Sequence, residues 1–114
     1  MRKVGIDITK NSRFNDYINN TTKLNKILSQ EEIKYLINVT SEKRKIEFIA
    51  SRFASKEALY KASNVNFSFN NVSVLNKENG APYIVCDFLD NYIIEISISH
   101  ETEYSIAIVI LEEK

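Results

Sequence analysis

The chain has 114 residues, of which 44% are hydrophobic and 26% charged, a composition typical of one globular domain. The 15 lysine and arginine residues balance the 15 aspartate and glutamate residues, so the sequence predicts no nucleic-acid partner. The single cysteine, Cys86, excludes an internal disulfide and a multi-cysteine zinc site. Because no signal-peptide pattern follows Met1 and the apolar runs are short, we expect a cytoplasmic protein without a membrane span or membrane partner.

The first predicted element is a strand over residues 3–8, in which apolar side chains alternate with others that include Gly5 and Asp7. Aspartate is rare in strands, so Asp7 needs either a binding partner or an exposed edge. Two interpretations stay open: a functional carboxylate beside the space that Gly5 leaves, or a carboxylate that faces solvent. Residues 9–12 are predicted to turn, and a short helix is predicted to about Asn19.

The middle of the chain is predicted to be helical after a polar loop over residues 19–25. Ser29 and Glu32 have the spacing of a capping box, which predicts a helix that ends near Val39. No Pro or Gly interrupts residues 41–64, and the good helix formers there predict one long helix.

The long helix carries a carboxylate, Glu57, on its predicted apolar face, where Ala54 leaves room for a ligand or another element. One interpretation is a surface ion pair between Glu57 and Lys61, worth roughly 0.2–0.5 kcal/mol. The other is a ligand site to which Arg52 and Lys56 add positive charge.

The C-terminal part is predicted to form antiparallel strands over residues 67–75, 82–86, 92–99 and 104–111. Asn79-Gly80 is the turn signal of a hairpin between the first two strands. The last strand is apolar on both faces, so it is expected at the centre of the sheet or at a subunit contact. These elements predict an α+β fold, a single domain over residues 1–114 with an antiparallel sheet packed on a long helix.

Asp7 and Glu57 are two carboxylates in unusual positions. Binding of one hard cation by both would account for both positions. Mg²⁺ typically takes one or two protein carboxylates and completes its shell with water and substrate phosphate oxygens. Arg52, Lys56 and Lys61 would then neutralise the remaining phosphate charge. The chain has only 2 glycines and no Walker motif, which excludes a P-loop.

Four segments carry a resemblance to a known family: Gly5-Ile6-Asp7-Ile8, Arg52 to Ala62 with its Lys-Glu-Ala-x-x-Lys-Ala pattern, Gly80-Ala81-Pro82, and Ser97-Ile98-Ser99-His100. In their order and spacing the chain resembles the holo-[acyl-carrier-protein] synthases, the small phosphopantetheinyl transferases, over nearly its whole length. The resemblance implies the 4′-phosphopantetheinyl transferase fold. It also implies transfer of 4′-phosphopantetheine from coenzyme A to a serine of apo acyl carrier protein, with release of adenosine 3′,5′-bisphosphate, in fatty acid biosynthesis.

The resemblance also implies roles for single residues. Asp7 and Glu57 match the magnesium ligands of that family, and Glu57 is the better candidate for the base, through a water. Ser99 and His100 match positions near the cofactor, although a lone histidine at a turn is also typical of a plain surface residue. We therefore expect catalytic roles for Asp7, Glu57 and Lys61, and coenzyme A binding by Arg52, Lys56, Lys61, Ser99 and His100.

Two kinds of partner follow from the same resemblance. It implies a homotrimer with active sites between protomers, which the apolar faces of the last strand also favour. Arg13 matches a residue on the helix that receives the carrier, so Lys10 and Arg13 are the expected docking residues for an acidic carrier. The alternative interpretation is that both cations simply solvate a helix end.

Two departures from the family pattern leave other functions open. Lys10 stands where members commonly carry an acidic residue, and residues 63–66 replace a Gly-rich turn that lies against coenzyme A. An alternative is therefore a non-catalytic oligomeric binding module of the same fold that has lost coenzyme A binding. A third candidate is a magnesium-dependent nucleotide hydrolase. It would use the same carboxylates and cations, but the sequence carries no motif specific to it.

Overall fold

An antiparallel sheet packs on one long helix, as the sequence predicts, and this sheet has three strands. The computed structural model describes residues 1–114. Its elements are β1 Arg2–Lys10, a 3₁₀ helix Asn11–Tyr17, α1 Thr21–Ile27, α2 Gln30–Ile37, α3 Glu42–Ser63, a 3₁₀ turn Phe69–Asn71, β2 Ser73–Asn76, β3 Pro82–Val85, β4 Tyr92–His100 and β5 Tyr104–Glu113. No helix among them combines the length and the apolar character that crossing a membrane would require.

The last strand lies at the centre of the sheet, which confirms one of the two positions predicted for it. β5 pairs antiparallel with β1 on one side and with β4 on the other. The β2–β3 hairpin forms a separate two-stranded sheet. The α+β class and the antiparallel arrangement of the strands are therefore confirmed.

The long helix α3 begins and ends close to the predicted residues. Ser41 caps its first turn by accepting a hydrogen bond from the Arg44 backbone N–H. Asn64 ends it in the left-handed conformation, with φ at 58°. The capping box of α2 is also confirmed, because Ser29 and Glu32 exchange both hydrogen bonds.

Helix α3 is buried on two sides rather than on the single apolar face that was predicted. One core lies between α3 and the sheet, and its buried members are Ala54, Ala58, Leu59, Ala62, Val72, Leu89, Ala107, Val109 and Leu111. A second core lies between α3 and the N-terminal helices, and its buried members are Phe14, Leu24, Ile27, Leu28, Leu36, Phe48, Ile49 and Ala50. Glu57 is half-buried and Lys61 is exposed, so neither belongs to an apolar face.

Three local predictions were wrong. The predicted loop over residues 19–25 contains most of α1, which Asn20 caps and whose two buried residues, Leu24 and Ile27, enter the second core. Only the end of the predicted strand over residues 67–75 pairs, as β2, because the preceding segment packs its aromatic rings against the core. The predicted turn over residues 9–12 begins later, since β1 continues through Lys10.

Candidate active site

Asp7 lies on the face of β1 that packs against α3. Its side chain is only 14% exposed. The Lys61 ammonium donates to Asp7 Oδ1 at 3.1 Å and to the Ile6 carbonyl oxygen at 3.0 Å. The interpretation of Asp7 as a carboxylate that faces solvent is therefore wrong. The space predicted beside Gly5 is filled by the backbone of α3, which brings the helix close enough for this contact.

Glu57 lies one helical turn before Lys61, so its Cβ is about 5–6 Å from that of Lys61. The predicted ion pair between these two residues does not form, because the Lys61 ammonium pairs with Asp7 instead. Glu57 forms no ion pair within 4.0 Å and is half-buried. Its carboxylate is thus free to accept a ligand beside the contact of Asp7 with Lys61.

The carboxylates of Asp7 and Glu57 suit a hard cation that keeps other ligands. No three His, Cys, Asp or Glu side chains converge as a metal-binding group, so Asp7 and Glu57 are the two candidate protein ligands. Two carboxylates are what Mg²⁺ typically takes when water and substrate phosphates complete its shell. The Lys61 ammonium at Asp7 shows that this carboxylate accepts a positive charge at this place. The residues present therefore fit magnesium.

A second feature is a cleft of about 540 Å³ between the end of α2, the first half of α3, the β2–β3 turn and the end of β4. Arg44, Arg52 and His100 line it, and Glu47 is its one acidic group. This balance favours an anionic ligand. The place of Arg44 in the cleft was not predicted, and the only signal for it in the sequence is the run of cations over residues 43–45.

Arg52 is held rigidly in the wall of this cleft. Its guanidinium carbon lies 4.2 Å from the centre of the Phe48 ring. Its nitrogens donate to the Val74 carbonyl oxygen at 3.1 Å, to Ser51 Oγ at 3.1 Å and to Asn76 Oδ1 at 2.6 Å. Burial lowers the pKa of Arg52, whose residue is 6% exposed. These three hydrogen bonds leave further N–H donors for a ligand.

His100 and Ser99 do not share one site within the chain. Consecutive strand residues point to opposite faces of a sheet. His100 lines the cleft, with Nδ1 at 4.0 Å from Glu47 Oε1. Ser99 lies opposite Ile106 of β5, on the face turned away from α3. The structure therefore brings His100, and not Ser99, to the cleft that Arg52 lines.

The prediction that Lys56 contacts coenzyme A phosphates was wrong, because its side chain is fully shielded from solvent. Its ammonium donates to Glu32 Oε1 at 2.5 Å, to the Ile27 carbonyl oxygen at 2.7 Å and to the Phe69 carbonyl oxygen at 2.9 Å. Burial lowers the pKa of Lys56, whereas the carboxylate of Glu32 favours the charged form. All three ammonium donors of Lys56 are used to link α3 to α1, α2 and the 3₁₀ turn. None is left for a ligand.

The predicted site residues thus form two groups within the chain. Asp7, Glu57 and Lys61 lie together where β1 crosses the second half of α3. Arg52 and His100 line the cleft. Arg52 and Lys61 are roughly 13 Å apart along the helix axis, at a rise of about 1.5 Å per residue. A single chain therefore does not gather all of these residues around one phosphate group.

The two predicted docking cations are both exposed and free of ion pairs. Lys10 is the last residue of β1, and Arg13 belongs to the 3₁₀ helix that follows. The guanidinium carbon of Arg13 lies 4.7 Å from the centre of the Phe53 ring. This contact fixes Arg13 on the surface of α3 while leaving its charge accessible to a partner.

Comparison with known proteins gives one consistent result. Residues 3–109 match the sequence pattern of the 4′-phosphopantetheinyl transferase superfamily. The chain is 40% identical to a holo-[acyl-carrier-protein] synthase of Geobacillus sp. strain WCH70, over 96% of this chain and 94% of that protein. It is 36% identical to the Bacillus subtilis protein of the same name, over 96% and 93% of the two chains. A crystal structure of the Bacillus anthracis enzyme in complex with CoA (3′,5′-ADP) is 31% identical and superposes with a TM-score of 0.89, covering 98% of this chain and 96% of that one.

Proposed function

This chain belongs to the 4′-phosphopantetheinyl transferase superfamily, and from that premise we propose that it is a holo-[acyl-carrier-protein] synthase. It transfers 4′-phosphopantetheine from coenzyme A to a serine of apo acyl carrier protein and releases adenosine 3′,5′-bisphosphate. The observation that carries the proposal is the contact of Asp7 with Lys61, one helical turn from Glu57, in a chain that aligns with its named relatives over nearly its full length.

Each group of site residues has a distinct task in this reaction. The cleft binds phosphate groups of coenzyme A through Arg44, Arg52 and His100, which line it. Asp7 and Glu57 would hold a magnesium ion, which would supply stabilisation of the negative charge on the pyrophosphate. Lys61 adds a positive charge next to Asp7, where it neutralises phosphate oxygens.

The transfer itself is an in-line displacement at phosphorus. The hydroxyl oxygen of the carrier serine forms a bond to the phosphorus that bears the pantetheine arm. The bond from that phosphorus to the bridging oxygen breaks, and adenosine 3′,5′-bisphosphate leaves with the electron pair. Glu57, which forms no ion pair and is half-buried, takes the serine proton through a water.

A homotrimer would unite the two groups of site residues. The sheet face turned away from α3 carries Val4, Ile6 and Ile8, which are 62%, 57% and 58% exposed. They stand in register with Ile110, Ile108 and Ile106 of β5. So continuous an apolar surface is typical of a subunit contact. We propose that further copies of the chain cover it and that the carboxylates of one protomer face the cleft of the next.

We propose that the carrier docks on Lys10 and Arg13 and that the protein acts in the cytoplasm, in fatty acid biosynthesis. Both side chains are exposed and unpaired. An acidic carrier would be steered to them by long-range attraction. Arg13 has the firmer position, because its guanidinium rests on the Phe53 ring.

The proposal is tested by incubating the protein with coenzyme A, Mg²⁺ and an apo acyl carrier protein, followed by mass spectrometry of the carrier. A mass increase of one phosphopantetheine group is expected, and no increase would refute the transferase. Calorimetric titration with coenzyme A in the presence and absence of Mg²⁺ distinguishes the transferase from a non-catalytic binding module. A non-catalytic binding module that has lost coenzyme A would release no heat in either titration.

A further inference from the structure

A buried asparagine connects the proposed carrier side of the site to the proposed coenzyme side. Asn11 directly follows β1 and opens the 3₁₀ helix that carries Arg13. The residue is 3% exposed, although an asparagine side chain is usually found in contact with water. A buried amide is costly unless its donors and acceptor are paired.

Both polar atoms of the Asn11 side chain, and its backbone N–H, are paired with the turn between β4 and β5 or with the start of β5. Its Nδ2 donates to the carbonyl oxygens of Glu101 at 2.7 Å and Thr102 at 3.1 Å. Its Oδ1 accepts from the Ser105 hydroxyl at 2.7 Å, and its backbone N–H donates to the Glu103 carbonyl oxygen at 2.8 Å. Asn11 therefore binds the carbonyl oxygens of all three residues of the turn, Glu101, Thr102 and Glu103.

These contacts are the anchor for the start of the 3₁₀ helix. Lys10, the residue in the capping position, forms no side-chain hydrogen bond to the helix. The turn held by Asn11 begins directly after His100, which lines the cleft. Asn11 thus adds a direct link between the helix that carries Arg13 and the turn that follows His100, beyond the pairing of β1 and β4 with β5.

An apolar side chain of similar size would fill the same volume but would form no directional hydrogen bonds. Three side-chain hydrogen bonds with fixed geometry instead hold the turn and the start of the 3₁₀ helix in one relative orientation. The arrangement is more than packing requires, since Phe14 in the next turn already buries the helix against α3.

We propose that Asn11 is a positioning residue for the transfer, which sets the Arg13 helix against the turn that follows His100 and so aligns the docked carrier with bound coenzyme A. The inference rests on the proposed function. A carrier that docks at a changed angle loses part of its charge complementarity with Arg13, so the KM for the carrier is the constant that is expected to change.

The test compares Asn11→Leu with Ser105→Ala in steady-state transfer assays. Asn11→Leu removes all three side-chain hydrogen bonds, whereas Ser105→Ala removes one and keeps both bonds to the turn. For Asn11→Leu we expect the KM for the carrier to rise about tenfold, with the KM for coenzyme A changed less than about twofold. For Ser105→Ala we expect both KM values to stay within about twofold of wild type.

A merely structural role gives a different result, because loss of folded protein lowers the apparent kcat and leaves KM unchanged. If Asn11→Leu does not fold, Asn11→Asp replaces it, since it keeps the shape and the Ser105 contact but turns a carboxylate oxygen toward the two carbonyls. A folded Asn11 variant with a wild-type carrier KM overturns the inference. Absence of transfer by the wild-type protein instead overturns the proposed function, so the two failures are distinguishable.

Discussion

Gly5 of β1 lies directly against the backbone of Ala58 in α3. A Cβ atom on Gly5 would overlap the Ala58 carbonyl oxygen and lie 2.6 Å from the Ala62 backbone nitrogen. We expect Gly5→Ala to destabilise the protein by about 3 kcal/mol, the upper end of the usual overpacking cost, because backbone atoms cannot rotate away. Urea unfolding followed by circular dichroism measures the loss.

Gly80→Ala is the matched control for that variant. Gly80 has a φ of 89° but no neighbouring atom within 4 Å of an added Cβ. Its substitution therefore costs only backbone strain, roughly 1–2 kcal/mol. Equal losses for the two variants would show that the crossing of β1 and α3 is not tight.

Lys56 and Lys61 are expected to give opposite phenotypes. Lys56→Met leaves the Glu32 carboxylate buried without its cation and should cost about 3–5 kcal/mol of folding free energy. The KM for coenzyme A of the folded fraction should remain that of wild type. Lys61→Met removes a cation that is half-exposed, so it should cost less than about 1 kcal/mol in stability while it reduces transfer.

Thermal unfolding and transfer kinetics of both variants decide this prediction. A Lys56→Met protein of unchanged stability with a raised KM for coenzyme A would return Lys56 to the ligand site. An active Lys61→Met protein would remove Lys61 from the catalytic group.

The contrast between these two lysines shows which contacts could be predicted from the sequence. The capping residues Ser29 and Ser41 act within one helical turn, so their effect was predictable from spacing alone. The partner of Lys56 is Glu32, 24 residues earlier, and that of Lys61 is Asp7, 54 residues earlier. Spacing along one helix specifies only its own neighbours, and it therefore suggested Glu57 as the partner of Lys61.

The N-terminal helices show a second limit of the sequence. The periodicity signal of α1 consists of two apolar residues, Leu24 and Ile27, in a polar segment, and their burial depends on α3. Alternation along β1 predicted correctly that Asp7 and Gly5 share a face. It could not tell which face packs on the helix, because the exposed face is the more apolar one.

The two carboxylates are each expected to be required for transfer. Asp7→Ala, Glu57→Ala and Glu57→Gln should abolish modification of the carrier, because loss of a metal ligand removes charge stabilisation and leaves both cores intact. Mass spectrometry of the carrier across a magnesium titration measures the effect. Glu31→Gln is a suitable control, since Glu31 is exposed and pairs only with Lys34. Near-wild-type turnover of either site variant at limiting magnesium would contradict the metal assignment.

The apolar sheet face is expected to govern assembly. Ile6→Glu places a charge in the centre of that face, next to Ile108, and should yield monomers. Ile37→Glu is the matched control, because Ile37 is 72% exposed but lies on α2, away from the sheet face. Light scattering at micromolar concentration measures the mass of each. A monomeric wild-type protein, or an Ile6→Glu protein that still assembles, would contradict the proposed trimer.

Arg13 is expected to act mainly through its charge at the carrier interface. Arg13→Glu should raise the KM for the carrier and reverse or flatten its dependence on salt, while binding of coenzyme A stays unchanged. Arg13→Lys keeps the charge but loses the flat guanidinium that lies 4.7 Å from the Phe53 ring, so it should retain most of the steering. Lys26→Glu, an exposed reversal in α1, controls for the change in net charge. Equal carrier kinetics for wild type and Arg13→Glu at low ionic strength would remove Arg13 from the interface, and docking would then fall to other cations such as those at residues 43–45.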